Sequence, residues 1–146
     1  WDEVMVPLLA DTDVHVVHNA THEEKLDVLR GAAALLFPIR WDEPFGLTMI
    51  EAGACGTPVA AFARGAVPEV IVDGRTGWTV PPGDLDAMCA AVERAPTIDR
   101  GACRAHVERH FGTRRMARDY ERIYAAQLPS RTIRVPELDT APTTPP

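Results

Sequence analysis

Two glutamates, Glu43 and Glu51, are the residues of this chain whose type and spacing most directly suggest chemistry. Seven residues separate them, within the segment FPIRWDEPFGLTMIEAGACGTPVAAF at positions 37–62. A carboxylate accepts two hydrogen bonds at once, so either glutamate could bind neighbouring hydroxyls of a ribose or another sugar. Paired carboxylates could also serve as the acid and base of a glycoside hydrolase. The alternative for both residues is a solvated glutamate of a loop or a helix.

The residues around the two glutamates predict a strand, a loop and a helix in that order. LLFPI is typical of a buried strand, RWDEPFG of a loop and LTMIEAGAC of a helix. In open α/β sheets, ligands bind where strands end and helices begin. The backbone amides of Phe45, Gly46, Leu47 and Thr48 would open this helix without intrahelical acceptors. We therefore predict that these residues bind an anion such as a phosphate.

The two glutamates fall on either side of the predicted anion site. Glu51 lies four residues beyond Leu47, about 6 Å along the helix axis, where it could bind the ribose of a nucleotide. Glu43 precedes the helix, where a sugar attached to the phosphate would lie. One segment could therefore bind ribose, diphosphate and sugar, which would explain the order of its elements and carboxylates.

Arginines and histidines near the predicted ligand edge are further candidates. Arg40 and Arg64 lie in loops that follow strands, so either could contact a phosphate, or be solvated. His15, His18 and His22 are close in sequence, but the first two flank a strand on different faces and the third opens a helix. We therefore predict no metal site.

Short apolar runs alternate with helical patterns along the chain, which is typical of a parallel sheet with helices packed on its faces. We therefore predict an α/β, Rossmann-like fold with helices on both faces of the sheet. Trp41 and Trp78 are predicted to pack in the core or against loops. The predicted strands are VHVV from Val14, ALLFPI from Ala34, PVAAF from Pro58 and GWTV from Gly77.

Capping residues mark where the predicted helices begin. Thr21 and Glu24 have the spacing of a capping box ahead of an amphipathic helix. Asp84 is a typical N-cap for LDAMCAAVERA. A short helical turn is predicted at VPEVI after Gly65. Two further helices are predicted at positions 100–110 and 114–127, the second capped by Thr113.

Length and composition favour one domain. The chain has 146 residues, of which 46% are hydrophobic, and this is enough for one core. We predict that residues 1–128 form the domain and that the proline- and threonine-rich residues 129–146 are a disordered tail.

No apolar run approaches the roughly 18 residues of a membrane span. The chain also lacks a signal-peptide pattern, and its three cysteines are scattered, so we predict a cytoplasmic protein.

Charge is distributed unevenly along the chain. The net charge is −6, with 15 acidic and 6 basic residues up to position 96, and 6 acidic and 9 basic residues after it. An acidic body argues against nucleic acid as a partner. Seven arginines at positions 100–122 could form a basic helical patch that makes weak contact with an anionic membrane surface, or a solvated helix face.

The segment PIRWDEPFGLTMIEAGACGTPVAAFARGAVPEVIVDGRTGWTVPPGD resembles the nucleotide-sugar-binding half of retaining glycosyltransferases of family 4, also called group 1, which have the GT-B fold. The resemblance includes both glutamates at their spacing, with EPFGL, GTPV, RGAVPEVI and DGRTGW in the family's order, and it extends over residues 1–127. It implies transfer of a hexosyl group from a UDP- or GDP-linked sugar to an acceptor hydroxyl, with retention of the anomeric configuration.

The resemblance also implies roles for single residues. Glu43 would be the catalytic glutamate, in contact with the donor sugar near the reacting carbon, and Glu51 would bind the ribose. The backbone of Phe45, Gly46 and Leu47 would hold the phosphates and the sugar. No metal or other cofactor is implied, because helix amides and basic side chains would stabilise the departing diphosphate.

The resemblance implies further elements ahead of Trp1 that this sequence does not contain. They are the first strands, a helix whose arginine and lysine clamp the diphosphate, and an N-terminal domain that binds the acceptor. Lys25, the only lysine, lies in a different helix. We therefore expect a truncated C-terminal half of a GT-B fold that is inactive in transfer by itself. An exposed sheet edge would also favour self-association.

Two other functions stay open. A non-catalytic nucleotide-sugar-binding or assembly module would keep the same site. A glycoside hydrolase is disfavoured, because its carboxylates would lie across a sugar ring from each other, whereas both glutamates here belong to one loop and helix.

Overall fold

The computed structural model describes residues 3–10 and 12–127. The chain divides into two compact units, residues 1–111 and 112–146. The first unit contains a sheet and helices, and the described part of the second is one helix. The predicted tail at positions 129–146 lies outside the described residues, so the tail and its boundary stay predictions.

Strands and helices alternate in the order that the apolar runs predict. The strands are β1 (Leu35–Phe37), β2 (Val59–Phe62) and β3 (Gly77–Val80). The helices are α1 (Met5–Leu9), α2 (His22–Gly31), α3 (Leu47–Ala54), α4 (Val67–Val70), α5 (Leu85–Arg94), α6 (Arg100–His110) and α7 (Thr113–Gln127), with a 3-10 turn at Ala95–Thr97.

The three strands form a parallel sheet in the order β1-β2-β3. Ala60 of the central strand lies opposite Leu36 of β1 and Trp78 of β3. A parallel sheet needs a crossover between neighbouring strands, and α3 and α4 lie in these crossovers. The predicted α/β fold is therefore confirmed, as are three of its four predicted strands.

The prediction of a strand at VHVV was wrong. Residues 13–17 have no regular secondary structure, and Val14 and Val17 are 53% and 46% exposed. Valine favours strands because it packs well on a pleated, half-buried surface, and it gains little where no neighbouring strand pairs with it. Within the described residues the sheet therefore has three strands rather than the four predicted.

The helix caps follow the predicted chemistry. Thr21 Oγ1 accepts a hydrogen bond from the Glu24 amide at 3.3 Å, and Glu24 Oε2 accepts one from the Thr21 amide at 2.8 Å. Asp84 accepts from the Ala87 amide at 2.9 Å and caps α5. The last helix, α7, begins at Thr113 itself, so the residue predicted as its cap is its first helical residue. The helix α1 was not predicted.

The core lies on both faces of β2, whose four residues are all buried. Val59 and Ala61 pack in a cluster with residues of α2, α3 and α4, including Leu29, Met49 and Val67. On the other face, Ala60 and Phe62 pack with Val80, Met88 and Ala91 of β3 and α5. A strand buried on both faces is continuously apolar rather than alternating, as PVAAF is.

The Gly-Thr-Pro segment before β2 has a structural role. Thr57 is fully buried, and its hydroxyl donates to the Leu29 carbonyl near the end of α2. Arg100 donates to the Ala32 carbonyl at 2.8 Å, the Arg30 carbonyl at 2.7 Å and Thr57 Oγ1 at 2.9 Å. These bonds satisfy carbonyls that the end of α2 leaves without intrahelical donors.

Several arginines of the predicted basic patch are paired with acids on their own helices. Arg104 on α6 contacts Glu108 at 2.9 Å. On α7, Arg115 contacts Asp119 at 3.3 Å and Arg122 pairs with the same carboxylate. These pairs reduce the positive charge that the helices present, and contact with a membrane surface stays a prediction. Among the described residues, no helix has the length and apolar character needed to cross a bilayer.

Candidate functional site

Glu43 lies at the centre of the loop between β1 and α3, which we call the first loop. Its Oε1 accepts hydrogen bonds from the Gly46 amide at 2.9 Å and from the Phe45 amide at 3.4 Å. Its Oε2 accepts one from the Trp41 indole at 3.2 Å. Gly46 closes this turn in the left-handed region, with φ of +79°, and is the N-cap of α3. Left-handed backbone favours glycine, so the EPFG sequence fits this turn.

This geometry changes how the predicted anion site must work. The amides of Phe45 and Gly46 were predicted to face outward without partners, but both point at the Glu43 carboxylate. Leu47 and Thr48 begin α3, where amides have no intrahelical acceptor. An anion at this helix start would therefore meet the Leu47 and Thr48 amides first and would compete with Glu43 for the other two.

The indole of Trp41 is the main reason why the pKa of Glu43 is lowered, with a further contribution from the Gly46 amide. Trp41 was predicted to pack in the core or a loop, but it is 61% exposed and acts as a hydrogen-bond donor. Both donors stabilise the ionised carboxylate. Glu43 is therefore an anion at neutral pH.

We expect Trp41→Phe to raise the pKa of Glu43 towards its usual range, because phenylalanine keeps a ring but has no N–H donor. A carboxyl ¹³C NMR titration measures this shift. In the native chain the folded state gains stability from ionised Glu43 above the usual pKa and loses it as pH falls through the lowered pKa. Glu24, whose pKa is lowered by Thr21, is an internal control and should titrate as before. An unchanged Glu43 midpoint would contradict this account.

A second loop, after β2, fixes the backbone of Glu43. The Ala66 amide donates to the Glu43 carbonyl at 2.7 Å. Gly65 has a φ of +52°, and a Cβ atom there would lie 2.4 Å from the Glu43 carbonyl oxygen and 2.5 Å from its nitrogen. Only glycine allows the two backbones to approach so closely. The RGA sequence of this loop therefore positions Glu43.

Glu51, on α3, forms an ion pair with Lys25 of α2, with Lys25 Nζ 2.7 Å from Glu51 Oε1. No role for Lys25 was predicted from the sequence. The two residues are 26 positions apart, so no local spacing indicated the pair, and it depends on how α2 packs against α3. Both side chains are about one third exposed. Pairs of this kind contribute on the order of 1 kcal/mol or less, so a ligand hydroxyl could replace one partner at little cost.

Two open cavities lie where the strands end. The first, of about 480 Å³, is lined by residues of the first loop and the start of α3, including Trp41, Glu43, Phe45, Gly46, Leu47 and Thr48. The structure therefore brings most of the predicted site residues together. Arg40 instead lines a neighbouring cavity of about 600 Å³, and Glu51 lies one turn further along α3. The predicted roles of these residues stay predictions.

Aromatic contacts within the first unit pack against Phe45 of the first loop. The ring of Phe45 packs edge-on against Phe111, with centroids 6.4 Å apart, and Phe111 packs in turn against His106 at 5.8 Å. His106 Nε2 lies 3.1 Å from the Val70 carbonyl and donates to it. Burial lowers the pKa of His106. These residues, missed by sequence analysis, hold Phe45 in place.

Histidine, cysteine and acidic residues do not form a metal-binding group of three or more within the described part of the chain. The rings of His106 and His110 lie next to each other, with centroids 4.7 Å apart.

The chain is similar to known glycosyltransferases. The family described as Glycosyl transferases group 1 matches residues 8–103. A D-inositol 3-phosphate glycosyltransferase of Streptomyces bingchenggensis is 36% identical over 113 residues, which are 74% of this chain and 25% of that protein. A glycogen synthase of Mycobacterium tuberculosis is 38% identical over 76 residues, 52% of this chain and 18% of that protein. The chain thus spans a quarter or less of the length of these two relatives.

A solved structure is also similar. The sucrose-phosphate synthase from Thermosynechococcus elongatus superposes with a TM-score of 0.64 and 31% sequence identity. The match covers 86% of this chain and 34% of that chain.

Proposed function

Because the chain belongs to the group 1 glycosyltransferase family, with the Rossmann-like fold of a GT-B half, we propose that it binds the nucleotide-sugar donor of a retaining hexosyl transfer. One observation carries this proposal: Glu43 and the first amides of α3 line one cavity. The donor would be UDP- or GDP-linked, and the acceptor group a hydroxyl. We also propose that transfer needs no metal and takes place in the cytoplasm.

The first turn of α3 takes the diphosphate in this proposal. Its positive end and its Leu47 and Thr48 amides favour an anion. As the phosphate approaches, the Phe45 and Gly46 amides exchange the Glu43 carboxylate for a phosphate oxygen. The freed carboxylate then accepts hydrogen bonds from the donor sugar. Binding of phosphate therefore prepares Glu43 for the sugar.

Glu51 binds the ribose in this arrangement, one turn beyond the phosphate. Its carboxylate accepts from the two ribose hydroxyls, in place of or beside Lys25. During transfer, the bond between the anomeric carbon and the phosphate oxygen breaks, the acceptor oxygen bonds to the same face of the sugar, and the hydroxyl proton passes to the departing phosphate oxygen. The α3 amides stabilise the charge that develops on the departing diphosphate.

A hydrolase is less consistent with this geometry. Only Glu43 of the two glutamates lines the cavity, and Glu51 is paired with Lys25. The carboxylates of a glycoside hydrolase instead face each other across one sugar. Calorimetric titration of the full chain with UDP, GDP and their glucose conjugates tests the proposal. We expect binding to depend on the nucleotide, and binding of free sugars alone would contradict it.

Glu43→Gln should distinguish the affinity that comes from the nucleotide from the affinity that comes from the sugar. The substitution removes a negative charge beside the phosphate site, so we expect affinity for the nucleotide diphosphate to stay the same or rise. Loss of a charged acceptor should remove the extra affinity that the sugar contributes, by about tenfold or more. Asp42→Asn is the matched control, since it removes one charge from the same loop outside the cavity lining. Equal losses for both ligands would argue against contact with the sugar.

A further inference from the structure

The Glu43 carboxylate is held by two different sets of donors. Its Oε1 accepts from the Gly46 amide at 2.9 Å and from the Phe45 amide at 3.4 Å, in the turn that opens α3. Its Oε2 accepts from the Trp41 indole at 3.2 Å, and Trp41 precedes this turn. A phosphate at the start of α3 competes for the two amides. Oε1 is therefore the oxygen that a phosphate would release.

Trp41 and the second loop can hold Glu43 without those amides. The Ala66 amide donates to the Glu43 carbonyl at 2.7 Å and so fixes the backbone. A glutamate side chain has several rotatable bonds, and ordering it costs conformational entropy. The indole N–H is only a donor, so it favours the ionised carboxylate and fixes the direction of Oε2. Glu43 can therefore keep its orientation while Oε1 changes partner.

The ring of Trp41 is also open to a ligand. Trp41 is 61% exposed and lines the cavity of about 480 Å³ together with Glu43 and Phe45. A tryptophan ring has a large apolar surface, most of which is usually covered in a folded protein. A sugar in this cavity would cover part of the ring and exclude water from the Trp41–Glu43 hydrogen bond. Hydrogen bonds are stronger where water is excluded.

We propose that Trp41 is a positioning residue for the donor sugar: its indole N–H holds Oε2 of Glu43 while Oε1 exchanges the backbone amides for a hydroxyl of the hexosyl group. This inference rests on the proposed function and adds the residue that orients the carboxylate. Phosphate takes the Phe45 and Gly46 amides, Oε1 becomes free, and the anchored carboxylate meets the sugar already oriented. Trp41 thus raises affinity for the sugar by acting through Glu43.

The first test follows the donors by NMR, using the ¹⁵N-labelled full chain with UDP and with GDP. The Trp41 indole and the Phe45 and Gly46 amides each give a separate N–H resonance. We expect the nucleotide that binds to shift both amides and to leave the indole at the downfield position of a hydrogen-bonded N–H. An indole that moved to the position of a free N–H would overturn the proposal. Amides that neither nucleotide shifted would contradict the donor site, and the positioning role would fall with it.

The second test uses Trp41→Phe, which removes the donor but keeps a ring. Calorimetry compares the nucleotide diphosphate that binds more tightly, UDP or GDP, with its glucose conjugate. We expect Trp41→Phe to lower the extra affinity that glucose contributes by about fivefold, and affinity for the nucleotide diphosphate to stay the same or rise slightly. Trp78→Phe is the matched control, since the Trp78 indole N–H has no hydrogen-bond partner within the described residues. It should change neither affinity.

The outcomes distinguish this inference from the proposed function. If Trp41→Phe kept the full preference for the glucose conjugate, or weakened both ligands alike, Trp41 would not position Glu43 for the sugar, and donor binding would stand. If the native chain showed no preference for the conjugate, the proposed contact between Glu43 and the sugar would fail, and the role of Trp41 with it. The NMR measurement uses the native chain, so it decides the question even if Trp41→Phe does not fold.

Discussion

Replacing Gly65 with alanine should lower the free energy of unfolding and abolish high-affinity nucleotide binding together. The added Cβ would lie 2.4 Å from the Glu43 carbonyl oxygen and 2.5 Å from its nitrogen, which are backbone atoms. The first loop must therefore move. A left-handed alanine alone costs about 1–2 kcal/mol, and we expect the displaced loop to raise the total to roughly 3 kcal/mol or more.

The matched control is Gly74→Ala, which separates backbone strain from displacement of the loop. Gly74 also has a positive φ, of +71°, but a Cβ there would meet only the Trp78 ring at 3.4 Å, an ordinary contact. Urea unfolding and UDP calorimetry of both variants measure the difference. We expect Gly74→Ala to keep UDP affinity and to lose only the stability that the strained left-handed backbone of alanine costs. If both variants lost the same stability and Gly65→Ala still bound UDP, the second loop would not be what positions Glu43.

Most of the first unit could be predicted because its signals are local. The strands β1, β2 and β3 follow from short apolar runs, and the starts of α2 and α5 follow from Thr21 and Asp84, whose side chains bond to amides three residues away. The wrong strand, VHVV, has the same local preference. What it lacks is a neighbouring strand, and pairing is a long-range property that a single sequence does not show.

The candidate site was predictable in position but not in its hydrogen bonds. The strand, loop and helix place Glu43 and residues 45–48 together, as predicted. The sequence does not show that the Gly46 amide points towards Glu43 rather than outward, because this depends on the backbone conformation of the whole turn, in which Gly46 is left-handed. The Lys25–Glu51 pair and the Gly65 contact join residues distant in sequence. Each needs the packing of two elements to be known.

Glu51→Ala should weaken nucleotide binding through the ribose alone. Two hydrogen bonds to an ionised acceptor are lost, and we expect affinity for UDP to fall by about 1–3 kcal/mol, which is roughly five- to 150-fold. The substitution also leaves Lys25 without its partner. Because that pair is about one third exposed, the stability loss should be small, on the order of 1 kcal/mol or less.

The sharpest comparison uses a ligand without the two hydroxyls. If Glu51 accepts from the ribose, 2′,3′-dideoxy-UDP should bind the native chain weakly, and Glu51→Ala should reduce its affinity no further. Lys25→Met is the protein control, since it breaks the same ion pair but keeps the carboxylate. Removing a cation from the neighbourhood of a diphosphate weakens both ligands alike, so Lys25→Met should preserve the preference for UDP over its dideoxy analogue. The assignment would be wrong if Glu51→Ala kept that preference, because the hydroxyls would then be recognised by another residue.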